Sequence, residues 1–164
     1  MDILLHKIIV TAVLGFVISY SSLKLKFLSV SGAIVTFFLT FIVFYLGDVK
    51  WTVPILTFFI LSSLLSKIRK RINPKVDSHF PKTEMRDRCQ VLANGGFPGL
   101  VILCNQFLMS ELFYIIYVSA IAAVCADTWA TEIGNIINVN TYDVVRFHII
   151  EQGISGGVSI IGFC

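Results

Sequence analysis

An all-α bundle of membrane-spanning helices is the fold class this sequence predicts, and three observations predict it. Hydrophobic residues make up 56% of the 164, 14 of them Phe, and the mean hydropathy is +0.85. A water-soluble fold of this size would leave far too much of that apolar surface unburied. The apolar residues also fall into runs close to the length a helix needs to cross a hydrocarbon layer, about 20 residues. Finally, the basic residues are confined. Of 13 Lys and Arg, eight fall between Lys67 and Arg88, the pattern of a loop held on one side of a membrane.

The chain reads as a single membrane domain, 1–164, with about five spans. The first, 8–22, is followed by no small-residue cleavage site, and Ser21-Ser22-Leu23-Lys24 runs straight into the next apolar stretch, so it is a retained helix rather than a signal peptide. Spans 28–46 and 51–65 are separated by the Gly47–Lys50 turn. The span at 91–109 is less apolar. It carries Asn94, Gly95, Gly96, Pro98, Asn105 and Gln106, a polarity that suits a helix facing the bundle interior rather than lipid. After the Ser110-Glu111 turn comes the span 112–127. A basic loop, 67–90, precedes the fourth span, and a polar loop, 128–153, follows the fifth. From Val158 to Cys164 a new apolar run begins and stops well short of span length, so it reads as the start of a sixth span in a truncated chain. Cys89, Cys104, Cys125 and Cys164 have no CxxC spacing and read as small buried hydrophobes.

Charge orients the bundle. The positive-inside rule makes the 67–90 loop cytoplasmic. Threading outward from it puts Lys24, Lys26 and everything after Asp127 inside, and the N-terminus, Gly47–Lys50 and Ser110-Glu111 outside. Eleven basic residues then lie inside, leaving only Lys7 and Lys50 outside. This topology brings three polar clusters to one cytoplasmic face: Arg86 to Gly96, Asp127 to Gly134, and Gly153-Ile154-Ser155-Gly156-Gly157.

Each cluster has a plain reading beside a chemical one. Lys67 to Arg71 read as topology anchors that touch anionic lipid. Arg86 and Arg88 lead into a Gly/Asn-rich helix start, where exposed N–H groups favour anions, and for them anchoring and phosphate binding both stand. Gly153 to Gly157 is a turn into a last helix with Ser155 as N-cap, or a phosphate cradle. It is not a nucleophile elbow, because no strand is expected before it and no convincing Asp/His partners follow. Asp127 is the sharpest signal, since a carboxylate at membrane depth is costly and is functional by default. The alternative is an N-cap for a helix from Thr128 to about Ile137, although Ala130 and Thr131 give no capping box. On an ideal helix Asp127 shares a face with Thr131, and Thr128 with Glu132. Asp127 and Glu132, five positions apart, point roughly 140° away from each other. Both can hold one cation only if the helix breaks between them; in an unbroken helix only one is a direct ligand.

Carboxylates, hydroxyls, Arg and anion-favouring helix starts at a membrane surface suit phosphoryl transfer, which needs a hard divalent cation and positive donors around phosphates. A nucleophilic hydrolase would need an activated Ser or Cys with a base. The His residues do not supply one: His6 is on the opposite side, His79 lies in the basic loop, and His148 has no evident partner.

The stretches Gln90-Val91-Leu92-Ala93-Asn94-Gly95, Ala126-Asp127-Thr128-Trp129-Ala130-Thr131-Glu132-Ile133-Gly134 and Gly153-Ile154-Ser155-Gly156-Gly157-Val158-Ser159 resemble, in order, the motifs of the integral membrane family of transmembrane protein 19 and the chloroplast phytyl-phosphate kinase. A weaker similarity extends to the polyprenol and dolichol kinases. The resemblance implies a membrane kinase that transfers a phosphoryl group from a nucleoside triphosphate, CTP, to an isoprenyl monophosphate such as phytyl phosphate. Mg2+ is the implied cofactor. Its implied partners are membrane lipid, the isoprenyl phosphate and the nucleotide, with no nucleic acid. It implies metal binding and catalysis at Asp127 and Glu132; in such an enzyme the acceptor phosphate would meet Arg86 or Arg88. Nucleotide or phosphate contacts fall to Gln90, Asn94, Gly95, Thr128, Thr131, Gly153, Ser155, Gly156 and Gly157. Two departures stand out. Ile154 replaces a common Thr, and Val145 to Glu151 replace a Lys- or Pro-rich approach, with Arg146 as a substitute charge. A transporter or permease, supported by Asn105 and Gln106, and a non-catalytic assembly subunit are the other readings.

Overall fold

The computed structural model describes residues 2–74, 85–137, 139–154 and 156–163. In chain order the elements are α1 (Asp2–Lys24), α2 (Val30–Leu46), α3 (Val49–Ile72), α4 (Arg88–Leu108), α5 (Glu111–Gly134), β1 (Thr141–Asp143), β2 (Ile149–Ile150), β3 (Gly157–Val158) and α6 (Ile160–Phe163). Four of them, α1, α3, α4 and α5, are long and apolar enough to cross a membrane. The 17-residue α2 is a shorter apolar helix. The helical bundle expected from composition is therefore the fold, with two differences. Helices α3 and α5 run on past 65 and 127 to Ile72 and Gly134. The stretch after Gly134, expected as a loop, carries a three-stranded antiparallel sheet in the order β2-β1-β3. Hydropathy marks a helix's end where polar residues begin, and that inference fails when those polar residues have helical partners.

The chain forms two compact units. The first holds α1, α2, α4 and the N-terminal parts of α3 and α5; the second begins on α3 at Phe58 and on α5 at Ala123.

In the first unit α2 packs on both α1 and α4. Glycines make the second contact close: Cβ atoms at Gly95 or Gly99 would sit 3.0 Å from the Leu39 side chain. Both helix starts are capped. The Ser29 hydroxyl accepts the Gly32 N–H at 3.2 Å, and the Asp87 carboxylate accepts the Gln90 N–H at 2.9 Å. Backbone bonds tie the two starts together, with the Arg86 N–H donating to Phe27 C=O at 3.1 Å and the Ser29 N–H to Arg86 C=O at 3.0 Å. Gly32 is needed there, because a Cβ would lie 2.3 Å from the Arg86 carbonyl oxygen. Gln106 donates to the Leu46 C=O at the end of α2, so its polarity in an apolar helix serves a neighbouring helix terminus. That accounts for one of the two residues that favoured a transporter.

At the N-terminal ends of α3 and α5 the contact is aromatic. Trp51 packs against Tyr114 and Tyr117, and Tyr117 is fully buried. Pro54 has no N–H to give the Lys50 carbonyl one turn earlier, and the Tyr114 hydroxyl donates to that carbonyl at 3.4 Å. The Tyr117 hydroxyl donates to Trp51 C=O.

Candidate functional site

The second unit joins the C-terminal halves of α3 and α5 through polar side chains. Trp129 Nε1 donates to Ser62 Oγ at 2.8 Å. One turn on, Arg69 Nε meets Glu132 Oε2 at 2.8 Å, and the Ser66 hydroxyl donates to Glu132 Oε1. Asn73 Nδ2 then donates to Asn135 C=O at 3.2 Å and to Gln152 Oε1 at 3.1 Å. Partner numbers rise together on both helices, so here α3 and α5 run parallel and their ends emerge side by side. This brings the start of the basic loop to the Asp127–Gly134 segment, as the charge argument expected of those two stretches. Sequence reasoning missed these α3 residues, although the signal was present. Ser62, Ser66, Arg69 and Asn73 recur at intervals of four, three and four, which is one helix face.

The terminus of α5 is closed by the sheet region. Gln152 Nε2 donates to the carbonyls of Gly134 and Ile137, each at 2.8 Å, and Ser159 Oγ donates to Gly134 C=O at 3.2 Å. Carbonyls that a helix end leaves without intrahelical donors thus gain side-chain partners. Gly134 allows the approach, since a Cβ there would lie 3.0 Å from Gly162 Cα.

Asp127 is not an N-cap. It lies inside α5, which is unbroken to Gly134, so Asp127 and Glu132 face different directions and do not meet as joint ligands. Their environments differ accordingly. The Glu132 side chain is 15% exposed with both oxygens engaged. Asp127 is exposed, and its carboxylate has no hydrogen-bond or ion-pair partner among the described residues. The Thr131 hydroxyl donates to the Asp127 backbone carbonyl at 2.9 Å, so it sits on the face of Asp127. Thr128 is half-buried. Among the described residues no cluster of three or more His, Cys, Asp or Glu could enclose a metal ion. Asp127 alone suits the sparse protein ligation usual for Mg2+, which relies on one or two carboxylates together with substrate phosphates and water.

Residues 13–164 match the family described as integral membrane protein DUF92. The chain belongs to that family. It is 31% identical to the uncharacterized membrane protein MJ0933 of Methanocaldococcus jannaschii over 85% of this chain and 57% of the relative. It is 27% identical to protein PGR of Arabidopsis thaliana over 95% of this chain and 59% of that protein. The chain thus spans less than three fifths of the length of these curated relatives. No solved structure matches. Together with the spans of the fold, family membership makes this a multi-pass integral membrane protein.

Seen in this family member, the remaining expected site residues fall into two groups. The Gly153–Gly157 turn lies between β2 and β3, so a short strand does precede it, contrary to expectation. Gly153 and Gly156 have positive φ, 96° and 85°, a backbone that Gly adopts freely. Gly157 packs against Thr141 and Ile150, and Ser155 lies outside the described residues. Arg86, Gln90, Asn94 and Gly95 belong to the first unit. There Gly95 of α4 is buried against Leu39 of α2, and Gln90 is exposed. Asp87 places its own carboxylate at the helix start where an anion was expected. Cys89, Cys104 and Cys125 are free thiols. Much of the 67–90 loop, including Asp77 and His79, lies outside the described residues.

Proposed function

We propose that this membrane protein is an isoprenoid-phosphate kinase, moving a phosphoryl group from a nucleoside triphosphate, CTP, to an isoprenyl monophosphate such as phytyl phosphate, at sites on its cytoplasmic face. The observation that carries the reading is the division of labour on α5. Glu132 is committed to Arg69 and Ser66, while Asp127, one of the few acids within a span, is left exposed and unpartnered among the described residues. A carboxylate kept within a span-length helix without a structural partner is a functional group by default. The motif order along the chain and membership in a membrane family support the same reading.

Asp127 holds the cation that accompanies the nucleotide, and Thr128 and Thr131 line its approach. Magnesium, when bound there, supplies the positive charge that draws phosphate oxygens together. Gly153 and Gly156, with their positive φ, shape the Gly153–Gly157 turn that would meet phosphate, and Gly157 holds it closed by donating to Ile154 C=O. The acceptor needs no strong base, because a phosphate monoester is already largely ionised near neutral pH. Gln90 and Asn94 are assigned phosphate or nucleotide contacts by the motif resemblance, and Arg86 takes the acceptor phosphate as a basic residue leading into that helix start; Arg86→Ala then weakens use of phosphorylated substrate without loss of folded protein.

The test is lipid phosphorylation by purified full-length protein in detergent or vesicles. Asp127→Asn keeps size and hydrogen bonding but removes the charge a hard cation needs. Phosphoryl transfer falls by orders of magnitude while the unfolding temperature stays near wild type. Full activity of Asp127→Asn at limiting magnesium ends the proposal. Cysteine labelling tests the sidedness: Asp77→Cys reacts from the cytoplasm and Ser110→Cys from the other face.

A further inference from the structure

The small sheet is apolar on the face that should be polar. In the pairing register Tyr142 stands opposite Ile149 on one side and Val158 on the other, and directly paired residues share a face. All three are exposed. The other face carries Thr141, Ile150 and Gly157, packed on one another, with Thr141 buried. An antiparallel sheet with one face in water places apolar residues inward and polar residues outward; here the outward face is apolar.

The β1–β2 tip continues the pattern. Val144 is exposed, and Val145 and Phe147 are each 84% exposed. The tip is also held in shape. Asp143 Oδ1 accepts the N–H groups of Val145 at 2.7 Å and Arg146 at 3.0 Å, and Phe147 takes a left-handed backbone, φ 54°, a conformation uncommon for a bulky side chain. Arg146 and His148 alternate with the apolar residues at the tip and are exposed as well.

We infer that this hairpin lies in the headgroup and upper acyl region of the same membrane that α5 spans, with Tyr142, Val144, Val145, Phe147, Ile149 and Val158 in apolar contact and Arg146 and His148 toward anionic headgroups. Two observations name lipid as the occupant. The sheet is lashed to the end of an apolar, span-length helix through Gln152 and Ser159, so its outer face continues the surface that meets lipid. Its chemistry, aliphatic and aromatic residues interleaved with the cation Arg146 and the polar ring of His148, is that of segments lying in a membrane interface. The inference is independent of the phosphoryl-transfer reading.

Full-length protein carrying Phe147→Trp, and separately Ile149→Trp, is reconstituted in phosphatidylcholine–phosphatidylserine vesicles, and the added fluorescence is compared with that of the parent, which keeps Trp51 and Trp129. Expected is a blue-shifted emission, quenched by lipid brominated near the headgroup end of its acyl chains and little affected by aqueous iodide. Arg146→Gln in the same background reduces the gain in bromolipid quenching that phosphatidylserine brings over phosphatidylcholine alone. Quenching by iodide and not by bromolipid at both positions overturns the inference, since the hairpin then faces water. Protection from both quenchers at both positions also overturns it, since protein, such as a second copy of the chain, then covers the face.

Discussion

Helices α3 and α5 meet twice, with different chemistry. In the first unit the contact is a packed aromatic group, Trp51, Tyr114 and Tyr117, whose hydroxyls reach the carbonyls of Lys50 and Trp51. In the second unit it is a ladder of polar side chains around one ion pair, Arg69 with Glu132. The aromatic contact draws on apolar burial, which tolerates small losses. The polar ladder holds two opposite charges largely out of solvent, and Glu132 in particular is tolerable there only while Arg69 is present. The same helix pair is therefore robust at one contact and brittle at the other.

Breaking the brittle contact gives the largest expected effect. Arg69→Ala leaves Glu132 with Ser66 but no counter-charge, and loss of one partner of a buried pair costs about 3 kcal/mol. The unfolding temperature in detergent should drop accordingly. Replacing both members by apolar residues, Arg69→Met with Glu132→Leu, should recover most of the loss. A double variant no better than Arg69→Ala would mean that the pair itself, and not the burial of a lone charge, is what matters. Glu132→Gln is milder because the amide oxygen still accepts from Arg69 while its NH2 can turn to the Ser66 hydroxyl as donor, and the contrast with Asp127→Asn sharpens the comparison. Glu132→Gln should move stability first, whereas Asp127→Asn should move activity alone.

The aromatic contact should lose less. Tyr117→Phe keeps the ring and removes one hydroxyl, a change worth about 1 kcal/mol for a typical hydrogen bond. Tyr114→Phe should cost less again, because its bond is long and the site is more exposed. Unfolding curves of the two variants beside Arg69→Ala would reverse the comparison if Tyr117→Phe proved the more damaging.

This contrast also explains what could be read from the chain. The spans were legible because an apolar run of the right length has few other uses, and the chemically special residue, Asp127, stood out because a carboxylate is out of place there. The helix ends were not legible. Lys67 to Arg71 read as loop anchors, yet Arg69 is a buried member of α3, because whether a charge ends a helix depends on a partner more than 60 residues away. Glu132 misled for the same reason: next to Asp127 in a motif it looks like a second ligand, and only the unbroken course of α5 turns it toward α3. Gly95, read as a nucleotide contact, is explained by Leu39 on another helix. The short strands were hidden because Tyr142, Ile149 and Val158 lack the polar alternation that marks a half-exposed strand.

The smallest expected effect comes from the hairpin, where one acid holds one turn. The N–H groups of Arg146, first, and Val145 keep the Asp143 carboxyl below the usual carboxylate range. A carboxylate whose value is lowered in the folded state adds stability above its unfolded value and loses it as pH falls through the folded one. The turn should therefore hold at neutral pH and loosen only in acid, below the range where ordinary carboxylates titrate. Asp143→Asn keeps an acceptor for both N–H groups but removes the charge. The difference in unfolding temperature between wild type and Asp143→Asn should be slight at neutral pH and should vanish as the pH is lowered. A difference that persists unchanged into strong acid would show that the carboxylate's charge plays no part in holding the tip, and would leave the turn to its backbone bonds alone.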